Sequence, residues 1–196
     1  MGLTVEKCLQ AWTNSLKQMN AKADIVFFGD SLTFHGDFAS VFPDKVVCNL
    51  GLRGDTIQGM IKRVELVKIL APKAVYLMAG INDIASTGIR EFEEQYEYLL
   101  MSLMEALPDA DLIIHGLLPV NDIDFSISCN NNQIVEYNRV IKKVSSIHGF
   151  KYIDLYAIYL DNGILNKCFS LDGIHLNTTG YLLWYSLLRE FQIGRK

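Results

Sequence analysis

The sequence lacks the features that mark nucleic-acid-binding, membrane-spanning and disulfide-stabilised proteins. Its 18 Lys and Arg residues are outnumbered by 22 Asp and Glu residues, so it offers no basic surface to a nucleic acid or an anionic membrane. No run reaches the roughly 18 apolar residues of a membrane-spanning helix, so no integral membrane association is expected. The four cysteines are far apart without a Cys-x-x-Cys pair, which predicts free thiols in a reducing compartment rather than a disulfide framework or a zinc site.

The sequence also lacks a signal peptide and an internal linker. Residues 3–19 mix apolar and polar residues at helical spacing, whereas a signal peptide has a basic start and then a continuous apolar stretch. We therefore expect a cytoplasmic protein, the alternative being an export signal lost from before Met1-Gly2. No Pro-, Gly- or Ser-rich segment divides the 196 residues, which predicts one domain over residues 1–196, with residues 1–22 as a helical segment packed on it. The sequence does not indicate an oligomeric state.

Five apolar runs alternate with amphipathic segments, a pattern that is typical of a parallel sheet with helices on both faces. We expect Asp55 to cap the second helix and Gly149 to follow the fourth. The predicted strands are residues 24–28, 45–49, 73–79, 111–117 and 150–155, and the predicted helices are residues 4–19, 56–70, 91–107, 133–147 and 178–191.

Ser31 follows the first apolar run, residues 25–28, in a small polar turn. Ligands of open α/β sheets bind in the crevice beyond the carboxyl ends of the strands, so Ser31 would lie beside a ligand and is a candidate nucleophile. The alternative is that Asp30 or Ser31 only caps the next element, as these residue types often do after a strand.

Asp172 and His175 lie just before the last predicted helix. A nucleophilic serine needs a general base and a carboxylate to orient that base. The spacing of three residues lets one turn of chain present both side chains to the same side, so Ser31, His175 and Asp172 are the predicted catalytic residues. The alternative is that Asp172 and His175 are two exposed loop residues without a catalytic role.

Donors for an oxyanion follow the second and third apolar runs. The turn at residues 51–54 contains two glycines, and Asn82 follows residues 73–79. Hydrolysis of an ester passes through an oxyanion that preorganised donors stabilise. The predicted oxyanion hole consists of the N–H groups of Ser31 and Gly51 and the side chain of Asn82. Gly51 and Asn82 could instead serve only the geometry of their turns.

Four segments together resemble the GDSL esterases, also called SGNH hydrolases, over about residues 24–190. The four letters S, G, N and H fall on Ser31, Gly51, Asn82 and His175. The resemblance implies a three-layer α/β/α, flavodoxin-like fold with a parallel sheet of about five strands. The matching segments are, in family order, Gly29-Asp30-Ser31-Leu32, Asn49-x-Gly51 with Gly54-Asp55-Thr56, Gly80-x-Asn82-Asp83, and Asp172-x-x-His175-Leu176.

The predicted function is hydrolysis of a small-molecule ester through an acyl-enzyme, without metal or organic cofactor. Four further residues are candidates for contacting the substrate, although Asp30 and Asp55 also suit a role in holding turns. The polar segment 119–132 is expected to border the pocket, and its carboxylates and asparagines favour a short acyl group, such as acetyl, on a sugar-like alcohol. The candidate substrate contacts are Asp30, His35, Arg53 and Asp55.

Three alternatives stay open at this point. A lysophospholipase-like or thioesterase-like enzyme would use the same chemistry on a longer acyl chain. A catalytically silent carbohydrate-binding module would keep the scaffold without turnover. A metal-dependent phosphohydrolase would use a different chemistry. Its ligands would be Asp30, Asp83, Asp172 and His175, or the pair Asp122 and Asp124.

Overall fold

The five apolar runs form one parallel sheet at the centre of the structure. The computed structural model describes residues 5–193, and the strands are hydrogen-bonded in the order β2-β1-β3-β4-β5. All residues of β1 and β3 are buried, as expected for strands that are covered on both faces. The strands are β1 (Ile25–Gly29), β2 (Val47–Gly51), β3 (Ala74–Met78), β4 (Asp111–His115) and β5 (Lys151–Ile153).

Eight helices connect and flank the strands within the described residues. Two 3-10 turns, Phe38–Val41 and Lys167–Phe169, and a short hairpin of β6 (Leu160–Asp161) and β7 (Ile164–Leu165) complete this part of the chain. The helices are α1 (Val5–Gln18), α2 (Ser31–Phe34), α3 (Ile57–Ile61), α4 (Val64–Leu70), α5 (Ile89–Ala106), α6 (Asn131–Ile147), α7 (Leu155–Tyr159) and α8 (Thr178–Ile193).

An aromatic cluster on one face of the sheet holds α8 against β1. Phe27 of β1 stacks on Phe38 with ring centroids 3.8 Å apart and on Tyr76 of β3 at 4.7 Å. Trp184 of α8 meets Phe38 edge to face at 5.2 Å and is almost fully buried. Stacked and edge-to-face aromatic pairs add to the burial of apolar area. The cluster therefore brings the segment that precedes α8 to the carboxyl end of β1.

Two hydrogen bonds fasten α8 to α2 and the turn that follows it. The Tyr181 hydroxyl donates to the Leu32 carbonyl oxygen at 2.7 Å, and the Asp37 backbone N–H donates to the Tyr185 hydroxyl at 2.6 Å. Because Ser31 begins α2, these bonds fix the distance between Ser31 and the loop before α8.

The predicted α/β class and its parallel five-stranded sheet are confirmed, but the predicted helix 56–70 is two helices. The chain breaks at Lys62-Arg63, where the Arg63 side chain turns into the interior and is buried. Asp55 is not the cap, because its carboxylate binds Arg63, and Thr56 accepts the capping hydrogen bond from Gly59 N–H instead. Gly149 follows α6 with φ +71°, as predicted.

The N-terminal helix α1 packs on α4, where Lys17 and Glu65 form a surface ion pair at 3.1 Å. Residues 1–4, which include Met1-Gly2 and the first residue of the predicted helix, lie outside the described residues, as do residues 194–196. The single domain over residues 1–196 stays a prediction. No helix between residues 5 and 193 has the length and apolar character to cross a membrane.

Candidate active site

Ser31 begins helix α2 directly after strand β1. The side chain of Asp30 caps the helix, since its Oδ1 accepts a hydrogen bond from the Leu32 N–H at 2.9 Å. A side chain at Gly29 would place Cβ 2.1 Å from Thr33 Oγ1 and 2.7 Å from the Met78 carbonyl oxygen. Glycine therefore permits the sharp passage from strand to helix that presents Ser31 at the edge of the sheet.

His175 and Asp172 complete a chain of hydrogen bonds with Ser31. The Ser31 Oγ lies 3.0 Å from His175 Nε2, and His175 Nδ1 lies 2.7 Å from Asp172 Oδ2. When Nδ1 donates to the carboxylate, Nε2 is left unprotonated and can accept the serine proton. The structure thus brings the three predicted catalytic residues together from opposite ends of the chain.

The loop around Asp172 fixes the carboxylate by its own backbone. Asp172 Oδ1 accepts hydrogen bonds from the N–H groups of Ile174 at 3.0 Å and His175 at 2.7 Å. Partial burial alone would raise the pKa of Asp172, but the hydrogen bond from the His175 ring and those from the two backbone groups outweigh it and lower the pKa to about 2. Asp172 is therefore ionised at neutral pH and can stabilise an imidazolium.

Gly173 lets this loop lie against the segment 119–132. Gly173 has φ +82°, and a Cβ there would lie 2.7 Å from the Phe125 ring and 3.0 Å from the Ile127 side chain. The Gly173 carbonyl oxygen also accepts a hydrogen bond from the Asn121 N–H at 2.9 Å. Ser170, which the sequence analysis missed, donates to the His175 carbonyl oxygen and accepts from the Gly173 N–H. These contacts set the position of His175.

The three predicted oxyanion donors differ in their present hydrogen bonds. Ser31 is the first residue of α2, where a backbone N–H has no partner within the helix. Asn82 Nδ2 donates to the Asp55 carbonyl oxygen at 2.8 Å, and an amide nitrogen carries a second hydrogen. The Gly51 N–H donates to Asn49 Oδ1 at 2.8 Å, so it would have to share or release that bond to reach an oxyanion.

Asn49, also missed from the sequence, joins the end of β2 to α2 and the turn after it. Its Nδ2 donates to the carbonyl oxygens of Thr33 at 2.8 Å and Gly36 at 2.9 Å. A Cβ on Gly51 would lie 2.2 Å from the Phe34 nitrogen. Only glycine therefore allows β2 to end so close to the helix that carries Ser31.

An open groove of about 690 Å³ lies beside the His175 ring. His35 and Arg53, two of the predicted substrate contacts, line it, and the His35 ring is perpendicular to that of His175 with centroids 6.0 Å apart. The remaining lining residues are Asp37, Leu171, Asp172, His175, Leu176, Asn177, Thr178, Tyr181, Leu182 and Tyr185.

Asp30 and Asp55 do not face this groove, and the prediction that they contact substrate is revised. Asp30 is completely buried, and Asp55 is buried in an ion pair with Arg63. Burial raises the pKa of Asp30 to about 7 and that of the neighbouring Asp83 to about 6. Asp83 accepts a hydrogen bond from the Ile57 N–H. All three carboxylates hold the turns behind the site.

None of the residues that line the groove belongs to segment 119–132, whose polar groups bond to one another. Asn121 Nδ2 donates to Asp124 Oδ2 at 2.8 Å, and Asn131 Nδ2 donates to the Val120 carbonyl oxygen at 2.7 Å and to Asp122 Oδ1 at 3.1 Å. These groups stabilise the loop rather than form a polar rim. The inference of a short acyl group from this loop therefore loses its basis.

Arg63 is the buried residue that the sequence analysis overlooked. It lies within the single predicted helix 56–70. Its spacing carried a signal, since Arg63 lies three residues after Met60 and four before Val67, both fully buried. Such a position belongs to the buried stripe of a helix.

The residues of the alternative metal site do not form one cluster, although Asp172 and His175 are in contact. Asp30 is buried behind Ser31, whereas Asp172 binds His175. Among the side chains that the structure describes, no three His, Cys, Asp or Glu residues are grouped so that they could hold a metal ion.

Comparison with known proteins finds a family whose model matches most of the chain. The sequence model of the GDSL-like Lipase/Acylhydrolase family matches residues 27–183. A multidomain esterase of Ruminococcus flavefaciens is 28% identical over 129 residues, which are 65% of this chain and 16% of that esterase, so the chain spans only a small part of this relative.

Solved structures agree in fold. A lipase/acylhydrolase of Enterococcus faecalis has 25% identity and a TM-score of 0.73, covering 87% of this chain and 95% of its own. A GDSL-like lipase of Bacteroides thetaiotaomicron has 20% identity and a TM-score of 0.76, covering 100% of both chains.

Proposed function

The chain belongs to the GDSL-like lipase/acylhydrolase family, and we propose that it is a serine esterase whose nucleophile is Ser31. One observation carries the proposal: Ser31, His175 and Asp172 form a continuous chain of hydrogen bonds beside an open groove. The family assignment confirms the resemblance that the four motifs indicate. The catalytic roles of the individual residues are part of the proposal.

In the proposed reaction His175 Nε2 takes the proton of Ser31 while Oγ attacks the ester carbonyl. Asp172 keeps the imidazole oriented and stabilises its positive charge. The imidazolium then protonates the leaving alcohol, and the acyl group stays on Ser31. His175 next activates a water that hydrolyses the acyl-enzyme and regenerates the serine. No metal or organic cofactor takes part in these steps.

The oxyanion of each tetrahedral intermediate would be bound by the Ser31 N–H and the second amide hydrogen of Asn82. The Gly51 N–H joins them if its bond to Asn49 is shared with the oxyanion. Donors of this kind bind the oxyanion more strongly than the ground-state carbonyl, and one of them typically contributes about 10²- to 10³-fold in rate.

For the substrate we propose a short-chain acyl ester, such as an acetyl ester, of a polar or carbohydrate-like alcohol. The support is the set of polar groups that line the groove, including His35, Asp37 and Arg53. These groups offer both donors and acceptors to a hydroxyl-rich leaving group. An open groove also suits a bulky alcohol better than a flexible acyl chain.

A longer acyl chain, as in a lysophospholipase or thioesterase substrate, is the second candidate. It is favoured by Leu171 and Leu182, which line the groove with 82% and 58% exposure. An acyl chain that covered these side chains would gain about 0.8 kcal/mol for each methylene buried.

A series of p-nitrophenyl esters from acetate to decanoate separates the two candidates. The proposal predicts that kcat/KM is highest for acetate or propionate and falls for octanoate and longer chains. A steady rise of kcat/KM with chain length would instead identify the long-chain enzyme.

Ser31→Ala tests the enzymatic assignment against a silent binding module. Hydrolysis of p-nitrophenyl acetate should be lost in Ser31→Ala but kept in Ser186→Ala, which alters an exposed serine of α8. Equal hydrolysis by wild type and Ser31→Ala would reject Ser31 as the nucleophile.

A further inference from the structure

We propose that the buried ion pair of Arg63 and Asp55 is a positioning device for the oxyanion donors, so that it controls kcat without touching the substrate. The inference rests on the proposed function of the site. Arg63 lies between helices α3 and α4, outside the four segments that resemble the family motifs.

Arg63 is held in one orientation by its contacts on every side. Its Nε donates to Asp55 Oδ2 at 2.9 Å, and Nη2 makes a second, shorter contact with the same oxygen. The guanidinium also lies over the Phe28 ring, 4.8 Å from its centroid. Only 2% of Arg63 is exposed. A planar guanidinium makes several fixed contacts of this kind at once, whereas a lysine ammonium cannot.

The same side chain reaches the backbone beside two of the donors. Arg63 Nη1 donates to the Leu50 carbonyl oxygen at 2.8 Å, and Leu50 directly precedes Gly51. Arg63 Nη2 lies 3.5 Å from the Gly29 carbonyl oxygen, two residues before Ser31. One guanidinium therefore ties the carboxyl ends of β1 and β2 together at the point where each chain turns into the site.

Asp55 connects the pair to the third donor. Its carboxylate accepts hydrogen bonds from the Arg63 guanidinium, while its backbone carbonyl oxygen accepts the hydrogen bond from Asn82 Nδ2 at 2.8 Å. This bond occupies one of the two amide hydrogens of Asn82, so the other is left for an oxyanion. Each of the three donors is thus within a hydrogen bond or two residues of the ion pair.

These contacts matter because oxyanion donors act only when they are preorganised. A displacement of about 1 Å at a catalytic group costs on the order of 10²-fold in rate, whereas substrate binding through the groove would be unaffected. A pair that merely stabilised the fold would change the melting temperature and leave kcat of the folded enzyme unchanged. The split between kcat and KM therefore distinguishes positioning from stability.

The test compares Arg63→Lys with Arg90→Lys, which alters an exposed arginine in the first turn of α5. Activity is measured on p-nitrophenyl acetate, well below the melting temperature of each variant. We expect kcat of Arg63→Lys to fall about 10- to 100-fold with KM within about threefold of wild type, since the donors act in the transition state. Arg90→Lys should match wild type. A folded Arg63→Lys with wild-type kcat overturns the proposal.

A double-mutant cycle with Asn82→Ala supplies the second readout. Because Arg63 reaches Asn82 through Asp55, Arg63→Lys should lower kcat less in the Asn82→Ala background than in wild type. Fully multiplicative losses would overturn this link to Asn82, while the contacts of Arg63 toward Gly51 and Ser31 are tested by kcat of Arg63→Lys itself. Should Arg63→Lys fail to fold, Arg63→Met/Asp55→Asn removes both charges together and leaves no unpaired buried ion, and the same loss of kcat is expected.

Failure of this inference is distinguishable from failure of the proposed function. Hydrolysis that depends on Ser31 but not on Arg63 refutes the positioning role alone. Hydrolysis that does not depend on Ser31 refutes both.

Discussion

Replacing Asp30 with Asn should make the protein more stable at neutral pH, although Asp30 belongs to the segment that carries the nucleophile. Asp30 is fully buried, and its Oδ2 has no hydrogen-bond partner. Burial raises its pKa from 3.8 to about 7, while the nearby carboxylates of Asp55 and Asp83 contribute in the same direction. Asn keeps the cap on Leu32 N–H, since Asn and Asp are equally good N-caps, but it cannot ionise.

The size and sign of the effect follow from the two pKa values. The folded state holds its proton more tightly than the unfolded chain, so the free energy of unfolding falls as the pH rises from about 4 to about 7. Each unit of pKa difference is equivalent to about 1.4 kcal/mol, so ionising Asp30 in the folded protein costs about 4 kcal/mol. This cost is absent near pH 4 and complete above pH 7.

The assay is urea unfolding of wild type and Asp30→Asn at pH 4.5 and pH 8. The variant should gain in stability relative to wild type by about 3 kcal/mol between the two pH values, because part of the total cost of about 4 kcal/mol is already present at pH 4.5. Asp44→Asn, at an exposed position, serves as the control and should show no such gain. A stability difference between Asp30→Asn and wild type that is the same at both pH values would refute the reasoning.

Substitutions at two further positions, Asn82 and Gly173, test the geometry of the site. Asn82→Ala should lower kcat about 10²- to 10³-fold with KM and melting temperature nearly unchanged, and Asn82→Asp should be no better; steady-state kinetics giving near-wild-type kcat would leave Asn82 as a turn residue. Gly173 and Gly163 both have positive φ, but only at Gly173 would a Cβ contact Phe125. Gly173→Ala should therefore lose at least about 1 kcal/mol more stability than Gly163→Ala. Its kcat/KM should also fall about tenfold relative to that of Gly163→Ala. Equal thermal stability and activity of the two glycine variants would contradict this.

The central strands, and the residues that meet at the candidate site, could be predicted from the sequence because their signals are local. The apolar run before Ser31 predicts a buried strand, and Asp172 and His175 are close enough in sequence to share one loop. Ser31, Gly51 and Asn82 lie at or just beyond the carboxyl ends of three neighbouring strands, β1, β2 and β3. Motifs that end adjacent parallel strands meet at one edge.

The features that sequence reasoning missed depend on contacts between distant segments. The break between α3 and α4 exists because Arg63 reaches Leu50 and Asp55 across the edge of the sheet. Helical periodicity indicates that Arg63 lies on a buried helix face, but it does not indicate which residues Arg63 contacts there. The polar residues of segment 119–132 satisfy one another in a closed loop, and composition cannot distinguish that arrangement from a polar rim around a substrate.

The most direct test of the account is covalent labelling with a fluorophosphonate probe followed by peptide mapping. Such a probe reacts with an activated serine and requires no knowledge of the substrate. The account predicts one label per chain, on Ser31, which is lost in Ser31→Ala and slowed strongly in His175→Ala. A label on any other residue, or labelling that persists in Ser31→Ala, would contradict it.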